Sequence, residues 1–208
     1  MKNPLAYQRT EYDCGPTTLL NAVSFLFERE EIPPELLKFV SMYAMDSYGR
    51  CGEHGKGGTS RLAMMFISGW LNEYGQMTKF PIESEYLSGT GVTAEPGSRL
   101  TLALKEGGAV IVRVKYEVDH YLLLTGLDGD RLLAWDPYYR MRKYSGEAAD
   151  VELVTDKPKL YNCVFSLERL NARGKGFYML GDPEKREAVT VFNKKTRTKY
   201  DFEPEYSI

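Results

Sequence analysis

The hydrophobic pattern of this chain changes from helical to extended at Gly107 and Gly108. Before this pair, apolar residues recur every three or four positions, which is the spacing of a helix buried on one face. Residues 76–97 are rich in glycine and proline and are expected to be irregular. We expect four helices in this part, at residues 15–28, at residues 34–45, from Thr59 or Ser60 to Gly75, and at residues 98–106.

Beyond the glycine pair, the apolar residues are often β-branched and run consecutively, which is typical of strands. The turn signal Asp128-Gly129-Asp130 predicts a hairpin between two of these runs. We expect clear strands at residues 109–114, 121–125 and 131–135, weaker ones at 138–144, 161–167 and 177–180, and a hairpin over 189–202 with its turn near Asn193 and Lys194.

The order of these elements, helices first and an antiparallel sheet after them, predicts an α+β fold in which the N-terminal helices pack on the sheet. We expect residues 1–145 to form the core of the fold. Residues 146–208 are expected to supply C-terminal strands that complete or extend the same sheet.

A single cysteine, Cys14, stands just ahead of the first predicted helix and is followed by Gly15 and Pro16. Proline suits the first turn of a helix, where its missing N–H is not needed. A thiol is a useful nucleophile only as the thiolate, and both a helix N-terminus and a neighbouring imidazolium favour that form. The chain has only 2 histidines, so the search for the imidazolium is short.

His120 is the better candidate for this base because it stands at the start of an apolar strand that would hold it firmly. Asp136 ends the return strand of the same predicted hairpin, and antiparallel pairing brings the two positions side by side to within about one residue. A carboxylate there can orient the imidazole. Gln8, in the segment before Cys14, can supply an amide N–H to an oxyanion together with the Cys14 backbone N–H.

These residues resemble a known family when they are taken in chain order. Gln8, the run Asp13-Cys14-Gly15-Pro16-Thr17, the run His120 to Gly126 and the pair Asp136-Pro137 are similar to the C39 cysteine peptidases and C39-like proteins. The resemblance implies a papain-like cysteine proteinase fold. It also implies that Cys14 is the nucleophile, His120 the base, Asp136 its orienting acid and Gln8 the oxyanion donor, in an enzyme that cleaves peptides or proteins after small residues such as Gly-Gly.

Two other functions use the same residues. An amine or a thiol in place of water would make the protein an acyltransferase or transpeptidase. A non-catalytic module that binds peptides would retain the fold without the chemistry. Selective alkylation of Cys14 over Cys51 and Cys163 would separate an activated nucleophile from a structural thiol.

Several residues near the proposed triad are expected to contact the substrate. Asp13 and Gly15 flank the nucleophile, and Asp119 and Tyr121 flank the base. The glycine-rich stretch 48–58 is expected to form a lid or rim of the cleft, and its His54 is a further candidate contact. His54 also forms a Cys-x2-His pair with Cys51, but a structural zinc needs about four ligands, so we expect neither metal nor cofactor.

Composition excludes several other classes of protein. The formal net charge of -2 gives no basic surface of the kind that nucleic acids require. The 3 cysteines are too few for a disulfide scaffold. The sequence shows neither a signal peptide nor an apolar run of membrane-spanning length, so a cytoplasmic location is expected.

Overall fold

The computed structural model describes residues 1–116 and 118–199. Five α-helices alternate irregularly with seven β-strands in this part of the chain. The helices are α1 (Cys14–Leu26), α2 (Pro34–Tyr43), α3 (Arg61–Thr78), α4 (Arg99–Lys105) and α5 (Leu167–Asn171). The strands are β1 (Ile82–Ser88), β2 (Ala109–Tyr116), β3 (Val118–Asp128), β4 (Arg131–Trp135), β5 (Glu152–Leu153), β6 (Cys163–Ser166) and β7 (Glu187–Asn193).

The strands form one seven-stranded sheet in the order β1-β7-β2-β3-β4-β6-β5, and every neighbouring pair is antiparallel. The predicted α+β arrangement, with helices packed on an antiparallel sheet, is therefore confirmed. The division into residues 1–145 and 146–208 stays a prediction. Strands of both segments lie in the same sheet, and β7 is inserted between β1 and β2.

The two faces of the sheet are buried under different layers because successive residues of a strand point in opposite directions. Tyr121 and Leu123 of β3 pack into the cluster that includes α1, α2 and α3. Leu122 and Leu124 pack into the cluster on the other face, which includes α4 and α5. Burial of one such leucine contributes about 1.5–3 kcal/mol, so the alternation determines which face of β3 meets α1.

A buried hydrogen bond connects α1 directly to β3. The Thr18 hydroxyl of α1 donates to the backbone carbonyl of Tyr121 at 3.1 Å. Tyr121 is the residue after His120, and Thr18 lies one helical turn after Cys14. This contact brings the N-terminus of α1 to the part of β3 that carries the histidine.

The four predicted helices correspond to α1–α4, and one of them ends later than expected. The structure extends α3 through Gly75 to Thr78. A Cβ atom at Gly75 would lie 2.9 Å from the Phe80 carbonyl oxygen and 3.0 Å from that of Ile82. Gly75 therefore permits a close approach of α3 to the chain that follows it and does not end the helix.

Other predictions of extended or irregular structure were wrong. Residues 76–97 contain the strand β1, whose alternation is hidden because the polar Ser84 occupies one of its buried positions. Residues 138–144 form no strand, because the chain leaves the sheet at Pro137. Residues 177–180 form no strand either, since Tyr178 has a φ of 61° and interrupts the extended backbone. The hairpin expected over 189–202 begins as β7 and turns after Asn193, and its last residues, 200–202, lie outside the described chain.

Candidate active site

Cys14 is the first residue of α1, so its side chain lies at the positive end of the helix dipole. The next residue, Gly15, is tightly packed. A Cβ atom there would lie 2.1 Å from Oγ1 and 2.6 Å from Cβ of Thr59. Only glycine allows the start of α1 to approach Thr59 this closely, and Thr59 in turn lies in the wall of the cleft in front of Cys14.

His120 and Asp136 are in hydrogen-bond contact. Nε2 of the imidazole lies 2.8 Å from Oδ1 of Asp136, and both side chains are buried. A β-bulge between Leu124 and Gly126 shifts the register of β3 against β4, so that Leu123 pairs with Trp135. Asp136 follows Trp135 directly, which places its carboxylate within reach of the histidine at the start of β3.

The Cys14 side chain is close enough to the imidazole of His120 to raise its pKa through hydrogen bonding and charge. Since Asp136 occupies Nε2, Nδ1 is the ring nitrogen left for the thiol. Burial lowers the pKa of His120, but the charge of Asp136 and the hydrogen bonds with Asp136 and Cys14 outweigh burial and raise this pKa to about 10. The site thus favours the imidazolium, which is the form that stabilises a neighbouring thiolate.

The Asp136 carboxylate is held by two further donors. The backbone N–H of Tyr138 donates to Oδ1 at 2.8 Å. The hydroxyl of Tyr178 donates to the other oxygen, Oδ2. With the bond to His120, the carboxylate thus accepts hydrogen bonds through both oxygens.

Asn162 fixes the backbone of Asp136. The Asp136 N–H donates to Oδ1 of Asn162 at 2.7 Å, and Nδ2 of Asn162 donates to the Asp136 carbonyl at 2.8 Å. Sequence analysis missed both Asn162 and Tyr178. They lie 26 and 42 residues from Asp136, and no local pattern connects them with it.

Gln8 is attached to the chain that follows Asp136, through a bond from its backbone N–H to the Pro137 carbonyl at 2.8 Å. Its side-chain Nε2 donates to the Thr10 carbonyl at 2.8 Å, which leaves the second N–H of the amide for another acceptor. Oε1 of Gln8 is buried, and it has no hydrogen-bond partner among the described residues. Gln8 lines the same cleft as Cys14 and His120.

Asp13, which was expected to contact substrate, has its carboxylate turned toward its own loop. It accepts hydrogen bonds from the backbone N–H groups of Arg9 and Thr10 and from the Thr10 hydroxyl. These three bonds brace the turn between Gln8 and Cys14. The structure therefore gives Asp13 the role of supporting this loop, and a direct contact with substrate stays a prediction.

The cleft that Gln8, Cys14 and His120 line has a volume of about 830 Å³. One wall is the N-terminal loop with the start of α1, the second is the glycine-rich loop predicted to be a rim, and the third is the start of β3 with its neighbours. The lining residues are Gln8, Glu11, Tyr12, Cys14, Gly49, Arg50, Cys51, Glu53, Lys56, Gly57, Gly58, Thr59, Arg113, Val118, Asp119, His120, Tyr121 and Tyr138.

Two of the five predicted substrate contacts, Asp119 and Tyr121, line this cleft, whereas Asp13, Gly15 and His54 are not among its described lining residues. Asp119 lies between Arg113 and Lys115; burial raises its pKa, but the Lys115 hydrogen bond and the two cationic charges lower it overall. Tyr121 donates its hydroxyl to the buried Glu187. The exposed His54 packs edge-to-face on Tyr48 at 5.1 Å between ring centroids, and it is not among the described residues that line the cleft.

The other cysteines differ from Cys14 in their surroundings. All three thiols are free; Cys51 is exposed and Cys163 is buried. Burial raises the pKa of Cys163 and makes it a poor nucleophile. In the described part of the chain, no three His, Cys, Asp or Glu side chains cluster as metal ligands would. No described helix has the length and apolarity that a membrane crossing requires.

Comparison with known proteins gives a family match over most of the chain. Residues 2–155 match the model of the Peptidase_C39 like family. No curated protein matches this chain.

Several solved structures are similar to this chain at low sequence identity. The peptidase domain of Streptococcus ComA, a bifunctional ABC transporter involved in quorum sensing, is 13% identical over 91% of this chain and 97% of its own, with a TM-score of 0.45. The peptidase domain of Streptococcus mutans ComA is 13% identical over 91% and 98%, with a TM-score of 0.41. A double glycine motif protease from an AMS/PCAT transporter, solved with the leader peptide, is 14% identical over 78% and 89%, with a TM-score of 0.39.

Proposed function

This chain belongs to the Peptidase_C39 like family and is a cysteine peptidase, and we propose that Cys14, His120 and Asp136 are its catalytic triad. One observation carries the proposal. A buried imidazole lies 2.8 Å from the Asp136 carboxylate and close enough to Cys14 for that side chain to raise its pKa, at the wall of a large cleft. A nucleophile, a base and a group that orients the base are the three parts that this chemistry needs.

The reaction begins when the Cys14 thiolate attacks the carbonyl carbon of a peptide bond. The oxygen of the tetrahedral intermediate accepts hydrogen bonds from the Cys14 backbone N–H and from the side-chain amide of Gln8. The imidazolium of His120 gives its proton to the leaving amine, the C–N bond breaks, and a thioester with Cys14 remains. Asp136 stabilises the imidazolium before this step and keeps Nε2 protonated after it.

Water completes the cycle. Neutral His120 removes a proton from the water, whose oxygen attacks the thioester, and the acid product leaves as the thiolate and the imidazolium are restored. The resemblance to C39 peptidases makes a Gly-Gly pair before the scissile bond the first substrate to test. In a transpeptidase or acyltransferase an amine or thiol would take the place of this water.

The test combines turnover with labelling. Fluorogenic peptides with Gly-Gly before the scissile bond are incubated with the wild-type protein and with Cys14→Ala, and the expected result is cleavage by the wild type alone. Limited iodoacetamide at pH 6 should modify Cys14 ahead of the exposed Cys51, as measured by peptide mass spectrometry.

Three results separate the candidate functions. Equal rates of alkylation at Cys14 and Cys51, with no cleavage of any peptide, would indicate a non-catalytic binding module. Products coupled to an added amine, formed in preference to hydrolysis, would indicate a transpeptidase. Cleavage that persists in Cys14→Ala would place the nucleophile elsewhere.

A further inference from the structure

A second cavity, of about 330 Å³, adjoins the cleft and shares Arg113 and Asp119 with it. We call it the basic pocket. Its wall has two acidic side chains, Asp119 and Asp182, against six basic ones. The basic residues are Arg61, Arg113, Lys115, Arg173, Lys175 and Lys185.

The loop that closes the basic pocket is held to the sheet through its backbone. The N–H of Tyr178 donates to the Lys115 carbonyl at 2.9 Å, and the Lys115 N–H donates to the Met179 carbonyl at 2.9 Å. Further along, the buried guanidinium of Arg186 donates to the Gly181 carbonyl at 3.0 Å. These bonds form across β2 and the loop, so the position of the pocket does not depend on its lysine side chains.

Part of the positive charge is already neutralised within the protein. Arg113 and Lys115 pair with Asp119, Lys185 lies 3.6 Å from Asp182, and Arg61 pairs with the buried Glu187 at 3.0 Å. The six basic side chains therefore outnumber the acidic ones, Asp119 and Asp182, even when Glu187 is counted as a third.

The remaining charge is concentrated at Arg173 and Lys175, neither of which has a carboxylate within ion-pair distance in the described chain. Burial and the charge of Arg173 lower the pKa of the neighbouring Arg186, as a positive potential does. Nε of Arg113, at the junction with the cleft, is buried without a hydrogen-bond acceptor among the described residues. The pocket thus has excess positive charge, and one of the side chains in its wall has a donor without an acceptor among the described residues.

We propose that the basic pocket binds an acidic side chain, Asp or Glu, of the peptide in the cleft. This inference rests on the proposed peptidase function and specifies its substrate class. A peptide that reaches Cys14 passes the shared wall formed by Arg113 and Asp119, and a carboxylate entering there meets Arg173 and Lys175. Guanidinium groups bind carboxylates through paired hydrogen bonds, and a pocket of one charge raises the local concentration of its counter-ion.

The test uses matched peptides in which Gly-Gly before the scissile bond is constant and one Glu is moved through every other position. Each Glu peptide is compared with its Gln counterpart. At one position, Glu should raise kcat/KM by about 10-fold, which corresponds to about 1.4 kcal/mol. The preference should weaken in about 1 M salt, where the Debye length falls to about 3 Å.

Variants connect the preference with the pocket. The double variant Arg173→Gln/Lys175→Gln should bring the Glu-to-Gln ratio of kcat/KM close to one, while Lys157→Gln, which alters an exposed lysine that does not line the pocket, should keep the wild-type ratio. Thermal melts check that both variants fold. The proposal would be overturned if no peptide of the set showed a higher kcat/KM with Glu than with Gln. It would also be overturned if the preference for Glu survived in the double variant.

A binding measurement distinguishes a failure of this proposal from a failure of the proposed peptidase function. The affinities of the same Glu and Gln peptides are measured with Cys14→Ala by fluorescence polarisation. Tighter binding of a Glu peptide without turnover by the wild type would support the pocket and contradict the peptidase. Equal turnover of both series would support the peptidase and contradict the pocket. Absence of both binding and cleavage would contradict both.

Discussion

The hydroxyl of Tyr178 donates a hydrogen bond to Oδ2 of Asp136, the carboxylate oxygen that His120 does not use. Tyr178 is fully buried, and its φ of 61° lies in the left-handed region that bulky residues avoid. Such a conformation costs about 1–3 kcal/mol and persists only where the surroundings determine it. The surroundings determine it here, because the backbone N–H of Tyr178 donates a hydrogen bond to the Lys115 carbonyl of β2.

The direction of this hydrogen bond follows from the chemistry of its partners. Burial and the charge of Asp136 raise the pKa of Tyr178, so its hydroxyl keeps its proton. An ionised carboxylate only accepts, so that proton goes to Asp136. The Tyr144 hydroxyl, 2.8 Å from that of Tyr178, is then the donor in its own bond. Tyr178 lies beyond residues 2–155, the part of the chain that matches the family model.

Replacing Tyr178 by Phe should lower kcat/KM about 10- to 100-fold, since a hydrogen bond to a charged group contributes about 1.5–3 kcal/mol. The ring and its burial are kept, so the loss reports the bond to Asp136. Tyr144→Phe is the matched control because it removes a hydroxyl one bond further away, and its effect should be smaller. Steady-state kinetics with a Gly-Gly peptide decide the point, and wild-type turnover by Tyr178→Phe would exclude the positioning role.

Replacing Asp136 by Asn should change the pH dependence as well as the rate. Asp136 raises the pKa of His120, and in the proposed mechanism the imidazolium protonates the leaving amine. Activity is therefore expected below this pKa of about 10 and is lost as the pH rises through it. Without the carboxylate the pKa falls, so the basic limb of kcat/KM should move to lower pH, and the rate should drop about 10²- to 10⁴-fold. An unmoved limb would show that Asp136 does not act through His120.

Replacing Gln8 by Ala should reduce kcat by about 100- to 1,000-fold, the usual effect of losing one oxyanion donor. KM should change little, because the donor acts on the tetrahedral intermediate and not on the bound substrate. Gln76→Ala, on the exposed surface of α3, is the matched control and should behave as the wild type. If Gln8→Ala raised KM and left kcat unchanged, Gln8 would be a binding residue.

Replacing Gly15 by Ala should destabilise the protein by about 1–3 kcal/mol, the usual cost of overpacking. The added methyl would overlap the side chain of Thr59, with 2.1 Å to its Oγ1. Gly69→Ala is the opposite case, since a Cβ atom there meets nothing within 4 Å and the residue lies within α3. This control should be neutral or stabilising by up to about 1 kcal/mol. Urea unfolding of both variants gives the comparison, and equal stabilities would contradict the close packing at Gly15.

Local patterns in the sequence predicted much of the frame around the site. The positions of α1–α4, the strands at β2, β3 and β4 and the turn at Asp128–Asp130 follow from periodicity, caps and turn residues, which act over a few positions. The hairpin between His120 and Asp136 was predicted for the same reason, because its register is counted from a short turn. The Cys14-Gly15-Pro16 start of α1 is also a local signal.

Tertiary structure decided everything that depends on contacts between distant segments. The sequence did not reveal β1 as a strand, since β1 is defined by its pairing with β7, which follows about a hundred residues later. Tyr178 and Asn162 reach Asp136 only because the C-terminal chain returns across the sheet, and the basic pocket exists only where that loop meets β2. Helical periodicity and turn chemistry are properties of short segments. The order of strands depends on pairing and burial between segments that are far apart in the chain, so it cannot be read from any one short segment.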